Sequence, residues 1–210
     1  MVRPAERGLG RVTFSNNDKV RSFIAIPVPP DGINILKRTV EQLDSDFGRN
    51  VRWVRPEGIH LTLKFMGDIP GDMVTKVDSA LPEVAADFAP FSLSLSGLGV
   101  FPNARRPRVL WAGITGDMDA LSALQLAVDD AVADLGLPRE QRRFSPHLTL
   151  GRVRRETPEG QLRKIGRAMA EGDLSGDFSW QADAVHLMRT ELDPAGSRHY
   201  LVGAASLGGG

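Results

Sequence analysis

The chain has no cysteine. Disulfides, zinc–thiolate centres and thiol nucleophiles are thereby excluded, and the composition fits a reducing, cytoplasmic setting. It also has no net charge, with 26 Lys and Arg against 26 Asp and Glu. That argues against a blanket electrostatic attraction for long nucleic acid. No apolar run approaches the roughly 20 residues of a membrane span. Residues 1–19 are polar and Gly-rich, without the apolar centre of a signal peptide and without periodicity. They are expected to be a flexible extension ahead of one two-lobed unit over residues 20–210. No His-Glu-x-x-His segment occurs, so a zinc hydrolase is not expected.

What is present begins with a phrase stated twice. His60-Leu61-Thr62-Leu63 and His147-Leu148-Thr149-Leu150 lie 87 residues apart and use two of only four histidines. The same shift lays Phe91-Ser92 on Phe178-Ser179 and Ala25 on Ala112. It also lays the helical stretch after Pro30 on the one after Asp117. This pattern is an internal duplication with too few copies for a solenoid. Two similar lobes related by pseudo-twofold symmetry are expected.

Read in order, residues 21–29 form a strand stopped by Pro29-Pro30, and helical spacing runs from Asp31 to Phe47. A short strand at 51–54 and a turn at Pro56-Glu57-Gly58 lead into the first motif strand, 59–66. A helix over 70–86, strands over 91–101 and 109–115, and a helix N-capped by Asp117 follow. The second motif strand is expected over 144–153 and a helix opening at Thr157-Pro158 runs to 171. One strand over 178–190, a turn at Asp193-Pro194-Ala195-Gly196 and a closing strand over 198–205 complete the chain. The fold class is α+β and bilobal, with mainly antiparallel sheets lining a central groove and helices outside.

Side chains alternate along a strand, so His60 and Thr62 share one face while Leu61 and Leu63 share the other. His147 and Thr149 do the same. The leucines can bury, and two imidazoles and two hydroxyls can converge on a groove. An imidazole titrates near neutrality, so such a pair supplies a general acid and a general base without metal or other cofactor. In-line displacement at phosphorus uses this arrangement, with the hydroxyls on non-bridging oxygens. Arg152, two strand positions beyond Leu150, adds a fixed positive charge. Further arginines cluster at Arg105, Arg106 and Arg108, at Arg142 and Arg143, and at Arg154 and Arg155.

The paired His-x-Thr motifs, the Phe23-Ile24-Ala25-Ile26 strand, the Leu110-Trp111-Ala112-Gly113 run and Pro146 resemble the two-histidine (2H) phosphoesterases. Within them the chain is similar to the RNA 2′,3′-cyclic phosphodiesterases once named 2′-5′ RNA ligases, over roughly residues 20–205. The resemblance implies motifs facing across a groove and metal-independent opening of a 2′,3′-cyclic phosphate to a 2′-phosphate. In some members it extends to reversible 2′-5′ joining. It assigns His60 as general acid, His147 as general base, and Thr62, Thr149 and Arg152 as phosphate ligands. The counterpart of Arg152 in the first motif is Phe65, so the halves are not chemically equivalent. The implied partners are RNA ends carrying the cyclic phosphate, tRNA fragments among them; a cytoplasmic monomer with no membrane association is expected.

Either histidine alone reads more simply as a structural residue beside a threonine; the duplicated pair carries the catalytic reading. His186 and His199 lack the motif and are expected to be structural. Trp53, Trp111 and Trp180 are expected in packing rather than base stacking. Lys64 shares the inferred polar face, placing it near the groove or on a solvated rim. Two rival functions remain. One is a non-catalytic RNA-end binding module. The other is a 2H phosphodiesterase for a small cyclic nucleotide, such as a cyclic ADP-ribose-type phosphate, or for 2′-5′ oligoadenylate.

Overall fold

A computed structural model describes residues 14–15, 18–193 and 196–208. The extension expected over residues 1–19 lies mostly outside the described residues. Within it, Phe14 packs against the core and Lys19 already begins the first strand. Pro194 and Ala195 of the expected turn also lie outside the described residues.

Among the described residues nine strands form a single curled sheet, and their pairings are antiparallel. They are β1 (Lys19–Pro27), β2 (Val51–Trp53), β3 (His60–Pro70), β4 (Phe91–Phe101), β5 (Val109–Gly116), β6 (His147–Val153), β7 (Ser179–Ala182), β8 (Ala184–Asp193) and β9 (Gly196–Ser206). The order across the sheet is β7-β4-β5-β6-β3-β1-β8-β9, with β2 on the free part of β6. The strand expected over 178–190 is thus two strands broken at Asp183, because β7 pairs with β4 while β8 pairs with β1 and β9.

The two halves are joined rather than set apart as separate sheets. β3 and β6 meet at the Leu61–Leu148 pair, whose members stand 87 residues apart like the motifs themselves. Moving outward from this centre, β1 mirrors β5 and β8 mirrors β4. The helices α1 (Pro30–Phe47), α2 (Gly71–Ala86), α3 (Met118–Asp134) and α4 (Glu159–Glu171) follow the same shift, α1 onto α3 and α2 onto α4.

Helix α1 starts on Pro30, whose missing N–H costs nothing in the first turn. Asp117 precedes α3 but makes no side-chain cap; its carboxylate instead accepts the Ser92 amide at 2.8 Å, tying the helix start to β4. Apolar faces of α1, α2 and α3 close the main core with Ile24, Ile26, Leu61, Leu63, Leu148 and Leu150. Helix α4 covers a smaller core through Leu162, Ile165 and Met169, with Leu110 and Val153 beneath it. The motif leucines are buried, between 0% and 4% exposed, so burying them fixes which face the histidines must take.

Candidate active site

The alternation of the motif strands holds where it matters. His60, Thr62, His147 and Thr149 are all half-buried on one face, with the four leucines beneath. Because β3 and β6 run antiparallel past the Leu61–Leu148 pair, His60 lies towards Thr149 and Thr62 towards His147.

One interruption decides what else joins them. Along β1 the partners step from Thr62 opposite Ala25 to Lys64 opposite Ile24, so Leu63 is an extra, bulged residue. Along β5 they step from Thr149 opposite Trp111 to Gly151 opposite Leu110, so Leu150 is bulged at the equivalent position. A bulge reverses the in-out alternation beyond it. Arg152, which strict alternation would put on the leucine face, therefore returns to the Thr149 face. Phe65 returns to the Thr62 face in the same way. Both line a cavity of about 380 Å³ together with His60, Thr62 and Thr149.

The same bulge removes Lys64 from the groove, correcting its expected position. Lys64 is 4% exposed and pairs with Asp129 of α3. It also donates to the Pro138 carbonyl at 2.6 Å. The Asp129 carboxylate accepts the Glu140 amide at 3.1 Å. Burial pushes the Asp129 carboxyl upward, but hydrogen bonds from Lys64 and Glu140 outweigh it and hold the group below its ordinary range.

Both motif imidazoles are anchored alike. His60 Nδ1 lies 2.8 Å from the Gly58 carbonyl and His147 Nδ1 lies 2.7 Å from the Ser145 carbonyl. A carbonyl only accepts, so each Nδ1 carries its proton, and Nε2 is the atom left for chemistry. His60 stacks on Phe23 with centroids 4.3 Å apart, while His147 meets Phe101 edge-on at 5.0 Å. His147 is not among the residues that line the cavity. His60 is lowered from about 6.5 to about 4, chiefly by burial, then by the positive charge of a protonated His199 and, more weakly, of His147.

His199 was missed by motif reasoning. It belongs to β9, opposite Thr190 of β8, and its Nδ1 lies 3.0 Å from the Thr190 hydroxyl. Its ring meets Phe23 and His60 edge-on, and it lines the cavity. No local signal marks it, since it arrives by strand pairing from near the end of the chain. Burial lowers the pKa of His199, and likewise that of His186 on β8.

Of the arginines singled out in sequence, Arg152 alone lines the cavity; Arg21, Arg52 and Arg55 join it unforeseen. Arg106 is exposed and pairs with Glu159 at 3.2 Å. Trp180 is buried as expected and Trp111 packs beside Phe101. Trp53 both packs on the core and lines the cavity, lying against Gly151, where a Cβ would meet its ring at 2.7 Å. Among the described residues no group of three or more His, Cys, Asp or Glu is placed to hold a metal ion. No described helix is long and apolar enough to cross a membrane.

Comparison with known proteins agrees with this architecture. The chain is 32% identical over 181 residues to the RNA 2′,3′-cyclic phosphodiesterase of Methanothermobacter thermautotrophicus, covering 85% of this chain and 94% of that protein. It is 35% identical over 140 residues to the enzyme of the same name from Archaeoglobus fulgidus, covering 67% of this chain and 76% of that one. The crystal structure of TT0787 of Thermus thermophilus superposes with a TM-score of 0.74 at 26% identity, over 90% of this chain and 98% of that one. E. coli LigT complexed with NADP+ shares the fold, with a TM-score of 0.69 at 21% identity over 91% of this chain and 99% of that one. The profile of the LigT-like phosphoesterases matches the chain twice, over residues 26–111 and 115–199, once for each half of the duplication, and the chain belongs to that family, within the 2H superfamily.

Proposed function

We propose that the protein opens RNA 2′,3′-cyclic phosphate ends to 2′-phosphates by two-histidine acid–base catalysis. The observation that carries this reading is the matched pair of imidazoles. Each is fixed through Nδ1 to the carbonyl two residues earlier, with a threonine two residues later on the same half-buried face. The names of the relatives support the substrate class.

In the proposed step His147 Nε2 takes a proton from water as its oxygen attacks phosphorus. The P–O3′ bond breaks, and His60 Nε2–H gives its proton to O3′. The product is a 2′-phosphate and a free 3′-hydroxyl. Thr62, Thr149 and Arg152 hold the non-bridging oxygens as charge builds there. With an RNA 5′-hydroxyl in place of water, the same relay forms a 2′–5′ linkage.

The burial of His60 sets a condition on this assignment. With its pKa near 4, His60 is neutral at pH 7. As the acid it must gain its proton with the anionic substrate, whose charge raises its proton affinity. The reverse order, with His60 as base, is favoured by that neutral resting state. The order with His60 as acid is retained because it accords with the family resemblance and because the substrate itself supplies the missing charge.

The test is incubation of the purified protein with a nucleoside 2′,3′-cyclic phosphate and excess EDTA. Release of the 2′-phosphate is expected, since acid, base and phosphate ligands are all side chains. No turnover would favour a non-catalytic RNA-end module. A 3′-phosphate product, or loss of activity to chelator with recovery on adding metal, would overturn the mechanism.

A further inference from the structure

The cavity carries more positive charge than one phosphate needs. Arg21, Arg52, Arg55 and Arg152 line it, and no carboxylate does among the described residues. Arg21 lies 3.6 Å from Asp68 and packs over the Phe65 ring at 4.7 Å, on the β1 side. The other three come from β2, the segment after it, and β6. Arg52 stands directly across the β2–β6 ladder from Arg152, and Arg55 follows three residues on. Planar guanidinium groups that line one cavity suit the oxygens of a phosphate.

This feature belongs to one half of the duplication only. The 87-residue counterpart of Val51-Arg52-Trp53 is Pro138-Arg139-Glu140, which forms no strand. Pro138 has no N–H for a ladder, its carbonyl accepts from Lys64, and Arg139 is spent on Asp130. In the first half, β2 docks on β6, with Val54 N–H donating to the carbonyl of the bulged Leu150 at 2.8 Å. Trp53 lies against Gly151 and donates its indole N–H to Asp44 at 2.6 Å. The arginines on either side of Trp53 therefore sit on a fixed segment.

We propose that Arg52 and Arg55 form a second phosphate subsite beside Arg152, which holds the phosphate on the 5′ side of the nucleotide being opened. The inference rests on the cyclic-phosphate reading above. In that substrate the 2′ and 3′ oxygens are both closed into the ring, so any further phosphate must lie on the 5′ side. The favoured substrate is then a 5′-phosphorylated or 5′-extended end rather than a bare nucleoside cyclic phosphate.

The experiment compares kcat/KM for a nucleoside 2′,3′-cyclic phosphate, its 5′-phosphorylated form, and a dinucleotide ending in the same cyclic phosphate. At least about a tenfold gain for the phosphate-bearing substrates is expected, the size of one charged hydrogen bond. A gain for both assigns any 5′ phosphate; a gain for the dinucleotide alone assigns a bridging diester. The gain should shrink with added salt and collapse towards one in Arg55→Ala and Arg52→Gln. Equal kcat/KM for all three overturns the subsite while leaving the cyclic-phosphate reading intact. No turnover of any of them overturns that reading and the subsite with it. A readout independent of turnover is thermal melting with inorganic pyrophosphate, which should stabilise wild type more than Arg55→Ala. Equal shifts overturn the subsite.

Discussion

The ring of His199 meets the ring of His60 edge-on, with centroids 5.2 Å apart. Phe23 stacks on His60 and also meets His199, so the catalytic candidate sits in a small aromatic box. Three strands that are distant in sequence, β1, β3 and β9, build it. Its electrostatic consequence is a His60 that resists protonation.

Stability should therefore fall as pH falls through the histidine range. Native His60 binds its proton near pH 4, whereas an unfolded histidine binds one near ~6.5. Between those values the unfolded chain carries the extra proton, so stability is full above ~6.5 and is lost on the way down to about 4. The loss is at most about 3 kcal/mol from His60. His186 and His199, both lowered by burial, act in the same direction. Thermal melts from pH 7.5 to pH 4.5 should show a falling Tm, with a shallower slope in His60→Asn. A flat wild-type profile would mean that His60 is not held neutral.

The two motif histidines should be individually necessary and not additive. General acid–base help is worth about 10²–10⁴-fold per group. A relay already broken at one end loses little more at the other, so the double alanine variant should resemble the poorer single one. The wild-type pH–rate curve should be a bell. Loss of its alkaline limb in His60→Ala supports the acid role, and loss of the acid limb assigns the base. The limb set by His60 should lie lower in kcat/KM, which reports free enzyme, than in kcat, which reports the complex carrying the phosphate charge. Full activity in either well-folded alanine variant would remove the two-histidine mechanism.

Thr62→Val and Thr149→Val keep the shape and remove one hydroxyl each from the cavity wall. A hydrogen bond to a charged oxygen is worth roughly 1.5–3 kcal/mol, so each should slow turnover about tenfold to a hundredfold. Arg152→Ala should cost a similar amount. Wild-type rates in both valine variants would place the reacting phosphate elsewhere.

The Lys64–Asp129 pair should matter for stability and not for proton transfer. Lys64→Ala strands a buried carboxylate and should cost about 3–5 kcal/mol in urea unfolding. The double change Lys64→Met with Asp129→Leu should recover much of that loss, because apolar side chains fill the volume without a desolvation cost. A loss below about 1 kcal/mol in Lys64→Ala would show that the pair is solvated in solution.

The duplication, the two motifs and their leucine-in, histidine-out faces were legible from sequence, because residue type and a period of two are local properties. The element order was legible for the same reason, down to the helix after Pro30 and the strand over 91–101. The joining of both halves into one sheet through Leu61 and Leu148 depends on pairing between residues far apart, which no window of the chain contains. The bulges at Leu63 and Leu150 are decided by the partner strands β1 and β5. They turn Arg152 and Phe65 into the cavity and send Lys64 to Asp129. Arg21, Arg52, Arg55 and His199 carry no motif and reach the cavity only because β1, β2 and β9 dock where they do. The sequence alone determined which groups could do the chemistry, since that is fixed by side-chain type. Tertiary structure decided which of them share a wall and what charge surrounds His60, since burial and proximity exist only once the strands have paired.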